Sequence, residues 1–360
     1  MRMRLLLAVV AIPLMLAGCS AQTISGIPNV SAHVGPLRDE SPNVTTQHLY
    51  VLNTDIHSIT VYPVTANGNV APLRSITGSN TMLGTCFPNQ ITVDKSGKLY
   101  VSCQRVGSSW GILVFAAGAN GNVAPTTTIG GNATLLDFPY GLGTDRLGNL
   151  DVSNCGTQCT GSGSPPSVTV YAPGASGNVA PIRIITGSLT QMGCSFPCPL
   201  AVDHAGKIYQ FNTQSTMLDY TVYSSTANGD VAPIRTLHDK RQSGPNLSTS
   251  SMAFDSVNDM FTVTYLNGSV EVDKFNMGAR GKINPASILS GSSTQLVQSQ
   301  SIALDATNQE FVGNCGPCGG GSTESVTVYA AGASGNVAPI AMIAGSATGL
   351  GAIQSIAIGK

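Results

Sequence analysis

Short runs in which apolar residues alternate with polar ones recur along this chain, each run closing on Gly, Asn, Asp or Pro. One full set reads Gln90-Ile91-Thr92-Val93-Asp94, a Lys95-Ser96-Gly97 turn, Lys98-Leu99-Tyr100-Val101-Ser102, Gly111-Ile112-Leu113-Val114-Phe115, and a last run from Thr126 to Ile129. Period-two alternation rich in β-branched and aromatic residues, bounded by turn formers, predicts four strands joined by hairpins. Each such unit is a four-stranded antiparallel sheet. Little helix is expected, because 41 glycines and 20 prolines punctuate the 360 residues and interrupt any longer helical period.

A fixed pentapeptide lies between the third and fourth runs. Gly-Asn-Val-Ala-Pro stands at 68–72, 121–125, 177–181 and 335–339, with altered copies at 229–233 (Asp230 for Asn) and 281–285 (Lys282, Ile283 and Asn284 inside). The first glycines are 53, 56, 52, 52 and 54 residues apart, the spacing of one supersecondary unit repeated. A sheet with two faces to bury cannot do so alone, so the copies stack face to face around an axis. The expected fold is all-β, a six-bladed β-propeller of four-stranded antiparallel blades over residues 47–360. The two ends complete one another: Gln354 to Gly359 matches only a first strand, while Gln47 to Val51 and Ser58 to Tyr62 match a second and a third. A hybrid blade built from both termini would close the ring and leave no open sheet edge.

Local turn chemistry agrees. Asp94, Asp145, Asp203, Asp255 and Asp305 each stand three residues before Gly97, Gly148, Gly206, Asn258 or Asn308. Asp at the first turn position bonds its own backbone, and Gly or Asn at the fourth tolerates positive φ. In the pentapeptide, Gly and Asn are read as turning the chain and Pro as starting an outer-edge strand, where a missing N–H is harmless. The set Ile-Thr-Val-Asp, Gly-Lys-Leu-Tyr-Val, Ile-Thr-Val-Tyr and Gly-Asn-Val-Ala-Pro resembles the NHL-type and related six-bladed propeller repeats of bacterial secreted proteins and lipoproteins. That resemblance implies the fold; activity does not follow from it, because such propellers host binding, scaffolding and several chemistries.

The first residues carry a different signal. Arg2 and Arg4, the apolar run Leu5 to Leu16, and Leu16-Ala17-Gly18-Cys19 read as an export segment over 1–18. Its end resembles the lipobox of bacterial lipoproteins, which implies that Cys19 becomes the lipid-bearing N-terminus. Ser20 resembles the pattern of lipoproteins sent to an outer membrane in a Gram-negative host. Residues 19–46 read as a flexible tether. The expected location is the cell envelope, anchored through Cys19.

Charge removes several classes. Seventeen Lys+Arg against 18 Asp+Glu give a net charge of -1, so nothing points to nucleic acid. Inner-strand positions two before the closing Asp are small (Thr92, Gly143, Ala201, Ala253, Ala303, Ala357), and so are most of those four before it (Gln90, Gly141, Pro199, Ser251, Ser301, Ser355). Gluconolactonase-like propellers, and the lyases that resemble them, place acidic and amide side chains or His there for a divalent cation; neither row holds a carboxylate or His, and the chain offers only Gln90, with Asn89, Gln300 and Gln354 one step outward. We therefore assign no catalytic residue, cofactor or metal. His33, His48, His57, His204 and His238 form no close pair in sequence.

The cysteines are more particular. Beyond Cys19 there are Cys86, Cys103, Cys155, Cys159, Cys194, Cys198, Cys315 and Cys318, an even set that reads as disulfides in an exported chain. They precede a first strand or follow a second, which places all of them on one face of the disc. The local pairings are Cys86 with Cys103, Cys155 with Cys159, Cys194 with Cys198 and Cys315 with Cys318. A redox role for Cys315 and Cys318, and zinc binding by Cys155, Cys159, Cys315 and Cys318, are the competing readings. The expected function is a monomeric binding module for a protein, glycan or envelope ligand, using that loop face with Asn89, Gln90, Trp110, Tyr140, Gln300 and Gln354 as candidate contacts. The alternative is a lactonase-like or lyase-like enzyme at the channel mouth, built from Asn89, Gln90 and Gln300.

Overall fold

A computed structural model of the chain describes residues 46–105, 110–161, 163–193, 198–212, 219–241, 247–266, 268–316 and 323–360. Residues 1–45, which include Cys19 and were expected to hold the export segment and most of the tether, lie outside them. Six sheets follow one another in a ring, each antiparallel from inner to outer strand. Blade 1 takes its inner strand, Ile353–Gly359, from the C-terminus and continues with His48–Asn53, Ser58–Pro63 and Arg74–Thr77. Its register runs from His48 opposite Gly359 to Leu52 opposite Ser355. The hybrid blade expected from the sequence is thus present.

The remaining blades are continuous in sequence. Blade 2 is Cys86–Val93, Leu99–Arg105, Trp110–Phe115 and Thr127–Gly130; blade 3 is Pro139–Thr144, Leu150–Asn154, Ser167–Tyr171 and Arg183–Thr186. Blade 4 is Leu200–Val202, Ile208–Asn212, Asp219–Tyr223 and Arg235–Asp239; blade 5 is Leu247–Phe254, Met260–Leu266, Ser269–Phe275 and Ser287–Leu289. Blade 6 is Ser299–Leu304, Glu310–Asn314, Ser325–Tyr329 and Ala341–Ala344. Six apolar layers form the core, one in each seam between neighbouring blades. The layer between blades 4 and 5, for example, holds Phe211, Tyr220, Val222, Leu237, Met252 and Phe275. Burying both faces of each sheet is what stabilises the ring, at roughly 1.5–3 kcal/mol per large apolar side chain.

The closing aspartates act as turn formers throughout. Each Oδ1 accepts the backbone N–H groups two and four residues on, at 2.8–3.0 Å. The pentapeptide does something the sequence reading did not anticipate. Its first Gly pairs in parallel with the outer strand of the preceding blade, as Gly121 does with Ile76 and Gly177 with Ile129. Its Asn then reaches past that strand: Asn122 Oδ1 accepts Asn80 N–H, Asn178 accepts Ala133 N–H, Asn336 accepts Ser293 N–H and Asn69 accepts Ala347 N–H, all at 2.7 Å. Asp230 substitutes for Asn at Leu189 N–H, also at 2.7 Å. Two residues before each donating N–H stands a glycine, with φ of 117–126° at Gly78, Gly131, Gly187, Gly291 and Gly345. A Cβ on Gly131 would meet Asn178 Oδ1 at 2.5 Å. The pentapeptide is a clasp between blades as well as a turn, and its Pro72 precedes the outer strand, which starts at Arg74, rather than opening it. Asn178→Ala is expected to cost about 1 kcal/mol, the net worth of one such bond, measured by urea unfolding.

Close to the axis a second set of bonds joins blade to blade. Ser251 Oγ accepts Ile302 N–H, Ser301 Oγ accepts Ile356 N–H, Ser355 Oγ accepts Ile91 N–H and Gln90 Oε1 accepts Leu142 N–H, at 3.0–3.3 Å. In blade 3 the same row holds Gly141, where a Cβ would lie 2.4 Å from Leu200 N of blade 4. The row is therefore small or hydrogen-bonded because the neighbouring inner strand touches it; convergence on an axis was only part of the reason.

Candidate functional site

Most of the amides foreseen at the channel mouth are already engaged. Asn89 is buried and its Nδ2 donates to Pro139 O at 3.1 Å, while Gln90 accepts from Leu142. Gln300 Nε2 donates to Tyr265 Oη at 3.1 Å and to Gln298 O at 3.2 Å. Gln354 Nε2 lies 3.5 Å from Tyr140 Oη. Tyr140 is turned inward against Cys155 and Cys198, and burial holds its phenol well above the usual range. Trp110 opens the third strand of blade 2, and its side chain is outside the described residues. Asn89, Gln90, Gln300 and Gln354 thus bond blades to one another, and Tyr140 packs between them.

The disulfides sit where expected. Cys86 and Cys103 join the inner and second strands of blade 2, and Cys155 and Cys159 clip the loop after the second strand of blade 3. Cys198 and Cys315 are also disulfide-bonded; Cys194 and Cys318 lie outside the described residues. Cys86, Cys103, Cys155, Cys198 and Cys315 are all buried, which suits structural bridges.

A different feature comes from comparing the blades with one another in register. At the start of the third strand, where it meets the end of the outer strand, the pairs are Ser58 opposite Thr77, Gly111 opposite Gly130, Ser167 opposite Thr186 and Ser325 opposite Ala344. In blade 4 this small pair becomes Asp219 opposite His238. The imidazole Nδ1 and Asp219 Oδ1 share a short hydrogen bond, with the His side chain 26 % and the Asp side chain 18 % exposed. A carboxylate on Nδ1 fixes the ring and leaves Nε2 as the outward atom.

Beside this pair is a cavity of about 330 Å³ in the seam between blades 3 and 4. Asn212, Thr221, Thr236 and Gln191 line it with Asp219 and His238, and Met192, Gly193 and Tyr220 complete the wall. Asn212 is held in place by donating to Thr221 Oγ1 at 3.2 Å and accepting Gly193 N–H at 3.1 Å. The cavity opens on the face that carries the disulfides, because Asn212 ends a second strand and Asp219 begins a third.

The other side of the same outer strand departs too. Asp239 occupies the place of the clasp glycine and Lys282 that of the clasp Asn, and here three residues of strand pairing, Leu237 to Asp239 with Gly281 to Ile283, join blades 4 and 5. Glu271 and Asp273 of blade 5 stand in the registers that hold Ser58 and Thr60 in blade 1. Arg241 gathers the three: its guanidinium lies 2.7 Å from Asp239, Glu271 and Asp273. Burial, then the nearby Glu271, pushes Asp273 up to about 7 against the pull of Arg241. In a chain with only 10% charged residues, one seam carries this whole network. The sequence signal for Asp219, His238, Glu271 and Asp273 is their departure from Ser, Thr, Gly and Ala when the third and outer strands of the units are set in register.

Two further carboxylates are buried without a hydrogen-bond partner, Asp151 and Glu310. Asp151 takes the register of Tyr50, Tyr100 and Tyr209, and Glu310 that of Leu49, Leu99 and Leu150. Burial raises each carboxyl to about 8, against the partial pull of Arg183 on Asp151 and of Lys274 on Glu310. Because the folded value lies above the unfolded 4.5 of Glu310, folding loses stability as pH rises from that value toward 8. Glu310→Leu is therefore expected to stabilise the fold by about 3 kcal/mol at pH 8 and by much less at pH 4.5. Urea unfolding at the two pH values checks it, and a gain independent of pH would contradict it.

No protein-family model matches the chain, and no curated protein matches it in sequence. Solved structures do. A protein of unknown function from Bacteroides caccae is similar with a TM-score of 0.55 at 11% identity, over 87% of this chain and 99% of that one. TolB from Acinetobacter baumannii is similar with a TM-score of 0.50 at 10% identity, over 87% of this chain and 66% of that one. A luciferin-regenerating enzyme scores 0.47 at 13% identity, over 82% and 92%. For the first two, at 10–11% identity, the shared property is the propeller fold.

Proposed function

We propose that the chain is an NHL-type propeller lipoprotein, exported and held at the bacterial envelope by a lipid on Cys19, that binds an envelope component through its disulfide-bearing face. The observation that carries this reading is the departure of blade 4 from the repeat: a small strand pair gives way to Asp219 and His238 at the mouth of a polar cavity. Loops above a rigid disc are where such folds hold partners. The channel-mouth enzyme is the weaker reading, since Asn89 and Gln90 are engaged in blade-to-blade bonds.

Two measurements on the full chain test the proposal. Labelled palmitate should enter the wild type and not Cys19→Ser. Isolated host envelope should sediment the wild type, and Thr236→Arg, which fills the cavity, should reduce that retention at least tenfold. Equal retention of both proteins, or none of either, would overturn the binding role.

A further inference from the structure

We infer that the cavity between blades 3 and 4 is a subsite for a neutral, hydroxyl-rich saccharide, which deepens the binding reading above and rests on it. The chemistry of the wall selects this class. Asn212, Gln191, Thr221 and Thr236 offer both donors and acceptors, and the planar Asp219 carboxylate can accept from two adjacent hydroxyls at once. An apolar ligand would remove water from Gln191, Thr236 and the remaining lone pairs of Asp219 without replacing its bonds, which is costly in a partly desolvated site. Organic cations are not favoured, because Asp219 Oδ1 is already engaged by His238 Nδ1. Anions are opposed by Asp219 itself and by the three carboxylates around Arg241 on the far side of the same strand. Size agrees as well: about 330 Å³ lies at the small end of ligand pockets and accommodates one or two sugar rings. Met192 supplies apolar surface for the C–H face of a ring, while Asn212, fixed by Thr221 and Gly193, presents a preorganised amide.

The fold provides its own control. Blades 1 and 3 carry Ser opposite Thr at this register, so the double variant Asp219→Ser, His238→Thr installs a pair that the repeat already accepts twice. Saturation-transfer NMR of the purified full chain should be run with glucose, galactose, N-acetylglucosamine and their β-linked disaccharides, with glucuronic acid as the anionic comparison. A parallel arm with immobilised polysaccharides separates recognition of free sugars from recognition of glycan chains. The expected result is transfer to at least one neutral saccharide and little to glucuronic acid, with affinity falling at least tenfold in the double variant while its melting temperature stays near wild type. Thr236→Arg should lose binding too, and serves if the double variant fails to fold. Binding of no neutral saccharide, preference for glucuronic acid, or unchanged affinity in both variants would overturn the inference. If envelope retention persists with no saccharide bound, the sugar assignment fails and the binding module stands; if both are lost, both fail.

Discussion

A chain stopped after Gly351 is expected to lose the folded state altogether. The missing residues hold Ile353–Gly359, the inner strand of blade 1, and with it the pairing to His48–Asn53. Ile353 and Ile356 vanish from the layer shared with Leu49, Val51, Phe311 and Val326. The Ser355 bond to Ile91 and the Ile356 bond to Ser301 go as well, so the ring opens at both of its neighbours. Each buried isoleucine removed costs about 2–5 kcal/mol, and an unpaired strand edge adds an aggregation risk. Against a typical total of about 5–15 kcal/mol, the sum leaves nothing. Circular dichroism and size-exclusion chromatography check this, and a peptide of residues 352–360 added in trans should restore part of the folded signal. A truncated chain that stays monomeric with an unchanged melting temperature would refute closure by the termini.

Arg241→Met is expected to be the most damaging single substitution on the disulfide-bearing face. Asp239 and Asp273 have fully buried side chains, Glu271 is nearly buried, and Arg241 is the cation they share. Breaking a buried ion cluster by removing one sign costs about 3–5 kcal/mol, because the remaining charges stay desolvated and repel one another. The pH dependence has a definite sign. Asp273 already sits near 7, above its ordinary 3.8, and losing Arg241 raises it further, so the folded variant holds protons that the unfolded chain has released. Its destabilisation should be largest at pH 8 and shrink toward pH 5, where the carboxyls take up protons. Urea titrations at both values decide this, and a loss below 1 kcal/mol at pH 8 would show the network to be dispensable.

The ring was legible because its rules are local and repeated. Alternation marked the strands, Asp94 and its counterparts marked the turns, and the unmatched strand at Gln354 to Gly359 announced the hybrid blade. Cys86 with Cys103 and Cys155 with Cys159 followed from their places beside those strands. The clasp was missed because Asn122 Oδ1 meets a backbone N–H 42 residues away, a distance at which the sequence shows only a recurring letter. Asp219 and His238 were missed for a related reason. They are 19 residues apart and meet only when the third and outer strands are set in register, where a carboxylate and an imidazole stand among Ser, Thr, Gly and Ala. The inner strands, by contrast, are occupied in joining blades.

Hydrogen exchange of the full chain, measured by mass spectrometry with and without isolated host envelope, tests the central claim most directly. Protection should concentrate in peptides covering 186–193, 219–223 and 235–241, around the cavity and the outer strand of blade 4. Protection confined to the opposite turns at 94–98 and 145–149, or spread evenly around the ring, would contradict the placement of the binding site.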